Sequence, residues 1–522
     1  MTTNLVTLAR PDVPWLRSDH ALVIGKDILE LLSSSMYIDP MALYREYIQN
    51  AADSVDLARA AGVPGVVGKI EVKVDANERV ILIRDDGAGL CAAEFIDRLT
   101  ALGGSRKRGT QARGFRGVGR LAGLAFGREL FFRSRQESEP TVHEMRWSAR
   151  DVRDFLRSSE PRDLNGIVHD SVHTRELSGH GWPQRFFEVE LRGVIRHRDD
   201  RLLNKENVYN YLAQVGPVPF HPGFRFTDEI ASSLQKHGVR LGAIDIDVLG
   251  IGKVYRPHRN SLAFNKTTET EFRELTIIPT AGREGNTSAV TWILHSDYRG
   301  ALPQSSLVDG WRFRAGDIQI GNNDLLAPLF AETRFNAWCV AETHVLDGRI
   351  LPNGRRDHFE HNSFYSELVS HLAPHARKIS QRCRATSIYR NLLRHIDTGL
   401  GANDATLKAL RKRAMIDGSG ARIAEQVVRD LDRLQRLAAR SAICGDLQKK
   451  YFQQISKLRK RVASIKNCAA GRSALDSFTP AQQAILTEVL HSIYASDQDL
   501  HRSQALVDRI LRRLGRKLRR KV

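Results

Sequence analysis

Glu46, Asn50 and Asp53 lie at a spacing that places all three side chains on one face of a helix. The intervals of four and three residues match the period of an α-helix. Asp39 and Pro40, directly upstream, predict the helix start, with Asp39 as N-cap and Pro40 in the first turn. A polar face of this kind is usually only solvated, but the two segments that follow it favour a binding site.

A predicted strand pair follows the helix and ends in an acidic residue. Apolar residues alternate over 70–74, which indicates a half-buried strand, and the continuous apolar run 80–83 indicates a more buried one. The second strand leads directly into Asp85, Gly87 and Gly89. We therefore expect Asp85 to be held rigidly at a strand end, with glycines that let a ligand approach the backbone.

A glycine-rich loop comes next in the chain. Gly114, Gly117 and Gly119 precede an apolar stretch that is compatible with a helix. The backbone N–H groups of such a loop converge on an anion, and the helix N-terminus adds its dipole. The preceding segment, residues 102–113, is rich in Gly, Ser and basic residues and predicts a mobile lid.

These three segments, in this order and spacing, resemble the GHKL ATPase superfamily. The superfamily includes DNA gyrase B, the MutL mismatch-repair ATPases, the MORC ATPases, the ninety-kilodalton heat-shock chaperones and the histidine kinases. The chain is most similar to the heat-shock-chaperone-like and MORC-like branches. The resemblance implies an α+β fold: a Bergerat-type nucleotide domain with a mixed sheet under helices, a βαβ transducer domain, and an all-helical basic C-terminal region.

The resemblance also implies a role for each motif residue. Glu46 would be the general base that orients the attacking water, Asn50 the Mg²⁺ ligand, and Asp85 the acceptor for the adenine amino group. Asp53 would be an acid near the nucleotide. The remaining nucleotide-binding candidates are Gly87 and Gly89 in the base pocket, Ser105 and Lys107 in the lid, and Gly114, Gly117, Val118 and Gly119 around the phosphates.

The chemistry of ATP hydrolysis agrees with these roles. The reaction needs a water in line with the γ-phosphate, a cation across the phosphates and positive groups for the developing charge. Mg²⁺ takes few protein ligands and keeps several waters, so one Asn suffices. Histidine kinases generally have an amide where Glu46 stands, and the carboxylate here predicts a Mg²⁺-dependent ATPase instead.

The chain departs from the superfamily at one point. Many members place a Gly-Thr pair before a later strand, where the Thr supports the adenine site. Here Gly179 and Gly181 precede the corresponding stretch, and no Thr follows either of them. The resemblance therefore leaves the details of adenine recognition open.

A second candidate segment lies far along the chain, at residues 351–360. It resembles the catalytic loop of the chaperone branch and a similar loop of MORC-like proteins, which reaches from the second domain to the γ-phosphate. Arg356 is the first candidate for that contact and Arg355 the second, because a guanidinium pairs bidentately with phosphate oxygens. The alternative is a turn with two solvated arginines.

Positive charge is concentrated at the C-terminal end. Residues 376–522 hold 32 Lys/Arg and 12 Asp/Glu, a net charge of +20, whereas the whole chain carries +19. We predict three domains: an ATP-binding domain over 1–235, a transducer domain with the arginine loop over 236–375, and a helical basic domain over 376–522. Five cysteines without a metal-ligand or C-x-x-C pattern favour a cytoplasmic protein, and no apolar run is long enough to span a membrane.

The C-terminal region has the pattern of amphipathic helices. Apolar residues recur at steps of three and four over 423–434 and 447–465, which predicts an antiparallel helical bundle. Glycines are expected to separate its helices, at Gly401, Gly418, Gly420 and Gly471. A basic surface of this size favours a nucleic-acid backbone, bound without base recognition. A protein partner and an anionic membrane surface remain alternatives.

We interpret the chain as a homodimeric clamp operated by ATP, with slow turnover because closure limits the rate. The first hypothesis for its task is a nucleic-acid-linked ATPase, in prokaryotic DNA maintenance or antiviral defence. The second is a chaperone-like ATPase that remodels protein clients. The third is a nucleotide-sensing scaffold for an effector encoded elsewhere.

Overall fold

The computed structural model divides the chain into two compact units, Met1–Ser380 and Gln381–Val522. The residues that it describes are 39–101, 119–137, 139–157, 164–196, 199–265, 268–411, 419–443, 445–466, 478–496, 506–507, 509–510 and 513.

The first unit contains an eight-stranded mixed sheet in the order β5-β4-β3-β6-β2-β1-β7-β8. Its strands are β1 (Lys69–Asp75), β2 (Val80–Asp85), β3 (Glu129–Arg135), β4 (Thr141–Ser148), β5 (Val172–Ser178), β6 (Phe186–Arg192), β7 (Asp245–Val248) and β8 (Gly252–Lys253). All neighbours are antiparallel except β1 and β7, which are parallel. The predicted α+β fold with a mixed sheet is confirmed.

Helices accompany this sheet. They are α1 (Ala42–Ala60), α2 (Ala92–Thr100), α3 (Gly123–Phe126), α4 (Ala149–Arg157), α5 (Leu164–Ser171), α6 (Lys205–Val215) and α7 (Thr227–Gln235). The central one is α1, which packs on β1 and β2 and is buried around most of its circumference. It begins at Ala42 with Met41 as its N-cap, so the prediction of Asp39 as N-cap is wrong; the Asp39 carboxylate instead accepts a 3.1 Å hydrogen bond from the Met41 N–H in the preceding turn.

The register of β2 places an acid on the core side of the sheet. Ile81 and Ile83 are buried and face the apolar core, and Asp85 continues the same alternation. Asp85 pairs with Ile70 of β1 on one side and with Phe187 of β6 on the other. The strand therefore presents the Asp85 carboxylate on the face against which α1 packs.

A second, five-stranded sheet in the first unit has the order β11-β12-β15-β13-β14. Its strands are β11 (Glu274–Ala281), β12 (Thr287–His295), β13 (Gly310–Ala315), β14 (Ile318–Ile320) and β15 (Val340–Val345), and a separate hairpin joins β9 (Ser261–Asn265) to β10 (Thr268–Glu271). β13 and β15 are parallel, and the other neighbours are antiparallel. An aromatic and aliphatic cluster that includes Phe220, Trp292 and Leu294 forms part of its core.

Long helices make up the C-terminal part of the chain. They are α8 (Ser363–Arg411), α9 (Ser419–Ala438), α10 (Gly445–Lys466) and α11 (Pro480–Ser496). The predicted apolar repeats are buried, in α9 through Ile423, Val427 and Leu431 and in α10 through Tyr451 and Ile455. The prediction of a helical C-terminal region is confirmed. No described helix is both long and apolar enough to cross a bilayer.

Two details differ from the sequence expectations. Gly401 does not separate helices, because α8 continues through it from Ser363 to Arg411. The first sheet also extends past residue 235, since β7 and β8 add residues 245–253 to its edge. The division into three domains stays a prediction.

The position of α1 can be tested at a buried tyrosine. The Tyr44 hydroxyl donates a 2.6 Å hydrogen bond to the Leu202 carbonyl. Tyr44→Phe leaves that carbonyl without its partner, so we expect a loss of about 1 kcal/mol in the free energy of unfolding, measured by urea denaturation. Tyr209→Phe is the matched control, because its hydroxyl makes an exposed 3.4 Å contact with Lys253. Equal stability of the two variants would contradict the prediction.

Candidate active site

The predicted polar face of α1 exists and is largely withdrawn from solvent. Glu46 is 9% exposed and Asp53 is 2% exposed, whereas Asn50 is half-buried. The three residues lie on successive turns of one helix, so their side chains follow a single line along it. The face therefore combines two buried carboxylates with an accessible amide.

The loop after β2 lies against the same helix. Asp85 is 3% exposed, and its Oδ1 accepts a 2.9 Å hydrogen bond from the Gly87 N–H. A Cβ at Gly87 would overlap Ser54 of α1 and would approach the Asp85 carboxylate to 2.7 Å. Glycine is required here for close packing, and the contact brings the Asp85 loop next to the turn of α1 that holds Asp53.

Two further contacts fix the end of this loop. Gly89 has φ +67°, in the left-handed region, and a side chain there would collide with the Arg135 carbonyl. The Ser134 hydroxyl accepts a 2.7 Å hydrogen bond from the Leu90 N–H and donates a 3.0 Å bond to the Phe186 carbonyl. Ser134 on β3 thus links the Asp85 loop to the start of β6 through a buried hydroxyl.

The glycine-rich segment reaches Glu46 through its last glycine. A Cβ at Gly119 would overlap the Glu46 carboxylate, so only a bare backbone fits against it. The Tyr47 hydroxyl accepts a 2.8 Å hydrogen bond from the Gly123 N–H and donates a 3.1 Å bond to the Arg120 carbonyl. These contacts anchor the segment after Gly119 on α1.

Burial controls the charge state of the groups around Glu46. Burial raises the pKa of Tyr47 and raises the pKa of Tyr211 to about 12, so both phenols stay neutral. Burial also lowers the pKa of Arg120 to about 10, and its guanidinium donates to the carbonyls of Arg98 and Ala101 at the end of α2. Arg120 still carries its charge at neutral pH.

A loop that follows the second sheet contributes an arginine to this site. Arg356 is 8% exposed, and its Nε lies 3.4 Å from Oε1 of Glu46. Arg355, the second candidate, is exposed. The structure therefore brings the first candidate to the carboxylate and leaves the other at the surface.

The Arg356 backbone is held in an unusual conformation. Its φ is +54°, in the left-handed region, where residues other than glycine are disfavoured. Gly321 donates a 2.9 Å hydrogen bond to the Arg356 carbonyl. Arg45 donates to the same carbonyl at 3.2 Å and to the Arg355 carbonyl at 2.8 Å. Three hydrogen bonds from two elements thus set the direction of this loop.

Several predicted nucleotide-binding residues lie outside the described part of the chain. They are the lid segment 102–113 with Ser105 and Lys107, and the loop residues Gly114, Gly117 and Val118. Of the phosphate-loop candidates, Gly119 is described.

The residues present fit the two groups that the superfamily uses. Among the described residues no three His, Cys, Asp or Glu side chains cluster as a metal cage would require. A half-buried amide beside a carboxylate instead suits a magnesium ion that keeps its waters and is shared with phosphates. The bare backbone of Gly119 and Gly87 lets the two loops pack directly on α1, beside Glu46 and Ser54.

Sequence reasoning missed three residues of this site. Arg45 and Tyr47 flank Glu46 in sequence but belong to no motif. Ser134 lies on a strand whose apolar pattern gives no sign of a functional residue. Each acts through a backbone group distant in sequence, which no local pattern reveals. The signal for Arg45 was its position one residue before the predicted base, on a helix already expected to line the site.

Comparison with known families now adds to the geometry. A family described as "Histidine kinase-, DNA gyrase B-, and HSP90-like ATPase" matches residues 42–172. Residues 42–172 therefore match the GHKL ATPase superfamily. The match begins at the first residue of α1 and ends at the start of β5. It therefore covers α1, the Asp85 loop and the glycine-rich segment.

The chain is also similar to bacterial proteins named chaperone protein HtpG. It is 27% identical to that of Nitrosomonas eutropha over 198 residues, which cover 34% of this chain and 30% of the relative. It is 28% identical to that of Acinetobacter baylyi over 164 residues, 27% of this chain and 26% of the relative. It is 29% identical to that of Rickettsia akari over 172 residues, which cover 29% of this chain and 27% of the relative.

This similarity indicates the heat-shock-chaperone-like branch of the GHKL superfamily. The chain matches only about a quarter to a third of the length of these relatives. The similarity to MORC proteins stays a prediction, as do the roles of the individual site residues.

Gly119 offers a test of the close approach to Glu46. Gly119→Ala places a methyl group on the Glu46 carboxylate, so we expect the ATPase kcat to fall at least tenfold while the far-ultraviolet circular dichroism is unchanged. Gly348→Ala is the matched control, because a Cβ there meets open space. Wild-type activity of Gly119→Ala would show that the contact does not bear on catalysis.

Proposed function

We propose that this GHKL protein is a Mg²⁺-dependent ATPase that works as a conformational clamp. The observation that carries the proposal is the ion pair between Arg356 and Glu46. It joins a loop that follows the second sheet to the helix that lines the nucleotide site, so the site is assembled from two structural layers. Hydrolysis in such a site responds to any movement of one layer relative to the other.

The residues divide the chemistry between them. Glu46 orients a water molecule toward the γ-phosphate and accepts its proton, while Arg356 stabilises the negative charge that develops on the phosphate oxygens. Asp85 accepts a hydrogen bond from the adenine amino group. Asn50 would hold Mg²⁺, which supplies charge neutralisation across the phosphates when bound.

The clamp mechanism follows from this division. ATP binding lets two copies of the chain pair through their nucleotide modules. Hydrolysis then separates them. Closure limits the turnover, so we propose a slow homodimeric ATPase in the cytoplasm whose product is a change of shape.

Glu46 provides the direct test of hydrolysis. Glu46→Ala removes the group that orients the water, so we expect kcat to fall by about 10² or more, whereas ATP binding measured by calorimetry persists. Glu229→Ala is the control, because Glu229 is an exposed carboxylate on α7. Full ATPase activity of Glu46→Ala would refute the proposed role.

A nucleic-acid partner is the first proposal for what the clamp acts on. The helix α10 carries seven basic residues and no acidic one from Leu447 to Lys466. Asp432 pairs with Arg459, and Asp404 pairs with Arg461. In the described part of the chain no acidic partner contacts the exposed basic set, which is Lys450, Lys457 and Lys460.

We call these three residues the α10 lysine set. The set spans about 15 Å along the helix, since each residue rises 1.5 Å. Positive charges at this spacing attract the regular phosphates of a nucleic acid and release its counterions on binding. The surface supports sequence-independent binding, as in a system for prokaryotic DNA maintenance or antiviral defence.

Charge reversal of the α10 lysine set tests this partner. The triple change to Glu is expected to weaken duplex-DNA binding at least tenfold in about 0.1 M salt and to reduce the slope of log K against log salt by about three. ATPase activity without DNA should stay at the wild-type level. The control reverses three exposed basic residues of the first unit, Arg150, Lys236 and Arg240. Equal DNA affinity of both triple variants would exclude the lysine set.

Chaperone-like remodelling of protein clients is the second candidate, and the similarity to proteins named HtpG favours it. Suppression of aggregation of a denatured test protein, dependent on ATP and lost in Glu46→Ala, would support it over the nucleic-acid proposal. A nucleotide-sensing scaffold is the third candidate. It would keep its cellular function in Glu46→Ala, because a scaffold needs nucleotide binding but not hydrolysis.

A further inference from the structure

A buried group of charges lies in the second sheet, remote from the residues assigned to the chemistry. Glu342 is at the centre of β15 and is 1% exposed. Its Oε2 lies 2.7 Å from Nη1 of Arg256, and its Oε1 lies 2.8 Å from Nε of Arg314. We call Glu342, Arg256, Arg314 and Asp317 the Glu342 cluster. All four side chains are buried.

The positive charges in the cluster counteract the effect of burial on Glu342. Burial opposes ionisation of Glu342, but the positive charges of Arg314 and Arg256 outweigh it and hold the pKa of this carboxyl well below its ordinary value. Burial likewise lowers the pKa of Arg314, and the charges around Arg256 raise its pKa against the effect of burial. An apolar side chain would fill the same volume, so the charges serve to orient groups and not merely to pack.

The two arginines bind the last turn of α6 and the residues directly after it. Arg314 donates to the Gln214 carbonyl at 2.7 Å and to the Gly216 carbonyl at 3.4 Å. Arg256 donates to the Val218 carbonyl at 2.9 Å through its Nε. A guanidinium has its donors in one rigid plane, so Glu342 fixes the direction of these bonds when it binds the opposite side.

Asp317 ties the β13–β14 turn into the same group. It pairs with Arg256, and its Oδ2 accepts a 3.2 Å hydrogen bond from the Gly242 N–H. Its φ is +64° and that of Gly316 is +57°, as a two-residue hairpin turn requires, and Gly and Asp both tolerate this conformation. The turn and its strand β14 are thereby fastened to α6 and to the segment before β7.

The same hairpin leads to Arg356. β14 ends at Ile320, and the next residue, Gly321, donates the hydrogen bond to the Arg356 carbonyl. A Cβ at Gly321 would lie 2.7 Å from the Asp357 carbonyl, so the two backbones are in close contact. A short path of contacts therefore leads from Glu342 through Arg256 to Asp317. From there β14 leads to Gly321, which binds the Arg356 carbonyl.

We propose that Glu342 and Asp317 are positioning residues for Arg356: the Glu342 cluster holds the β13–β14 hairpin against α6, and the hairpin holds the Arg356 loop at the distance from Glu46 that catalysis needs. This inference rests on the proposed ATPase function. Because of the cluster, the rate of hydrolysis depends on how the second sheet packs against α6.

Glu342→Gln and Asp317→Asn test the proposal, because each keeps the shape of the side chain and removes its charge. We expect each to lower kcat at least tenfold and to change the Kd for ATP less than twofold, since a displacement of about 1 Å in a catalytic group is enough to lower the rate strongly. In an Arg356→Ala background, Glu342→Gln should lower kcat less than twofold further. A full additional loss in that background would overturn the proposal, because Glu342 would then act independently of Arg356.

Glu144→Gln is the matched control for the loss of a buried ion pair. Glu144 is buried in the first sheet and binds Arg133 at 2.6 Å and Arg175 at 2.5 Å. These contacts lie within β3, β4 and β5 and do not involve the Arg356 loop. We expect its kcat to remain within twofold of wild type; a loss equal to that of Glu342→Gln would assign both effects to general destabilisation.

Hydrogen exchange gives a readout that does not depend on hydrolysis. Without nucleotide, Glu342→Gln and Asp317→Asn should raise the exchange of amides in residues 351–360, and Glu144→Gln should not. Unchanged exchange there in both variants would overturn the proposal even if the wild type hydrolysed ATP. Conversely, a wild type without ATPase activity would refute the proposed function, while raised exchange would still support the positioning role. Arg314→Lys replaces Glu342→Gln if the latter does not fold.

Discussion

The ion pair between Glu46 and Arg356 is the contact on which the proposed site depends. Both groups are nearly withdrawn from water, and burial of two charges costs more than their attraction returns unless hydrogen bonds fix the geometry. Arg45 and Gly321 supply those bonds to the backbone that carries Arg356. The pair is thus a consequence of the surrounding structure as well as a part of the site.

The two sheets contribute to this contact in different ways. The first sheet holds α1 and the Asp85 loop by apolar packing and short glycine contacts, which tolerate little displacement. The second sheet holds the end of α6 through charged groups that bind backbone carbonyls. Apolar packing is not directional, whereas guanidinium–carbonyl bonds are, so the second mode suits a part whose orientation matters.

The elements with a strong local period could be predicted from the sequence. The helix over Glu46 and Asn50, the strands before Asp85 and the amphipathic C-terminal helices all follow from spacing alone. The glycines at 87 and 119 could be recognised as sites of close approach, but the atoms that they approach could not be named. Spacing within one segment carries no information about the partner of that segment.

The remaining features depend on contacts between distant segments. Arg45 is separated by more than 300 residues from the carbonyls that it binds. β7 joins the first sheet by parallel pairing with β1, which no hairpin signal in the sequence predicts. The continuation of α8 through Pro374 and Gly401 also overrides local propensity, because residues on either side are packed into buried clusters. Tertiary contacts determine each of these structural features.

The register of β2 has a consequence for how such a site can change over evolution. Asp85 points toward α1 only because it falls on the same side of the strand as Ile81 and Ile83. Insertion of one residue in the strand would turn the acid outward and bring Arg84 inward, and the apolar partners would be reversed with it. Any change that preserves the register of this strand therefore also preserves the direction of the side chain at position 85, so the packing of the sheet and the orientation of the acid are coupled.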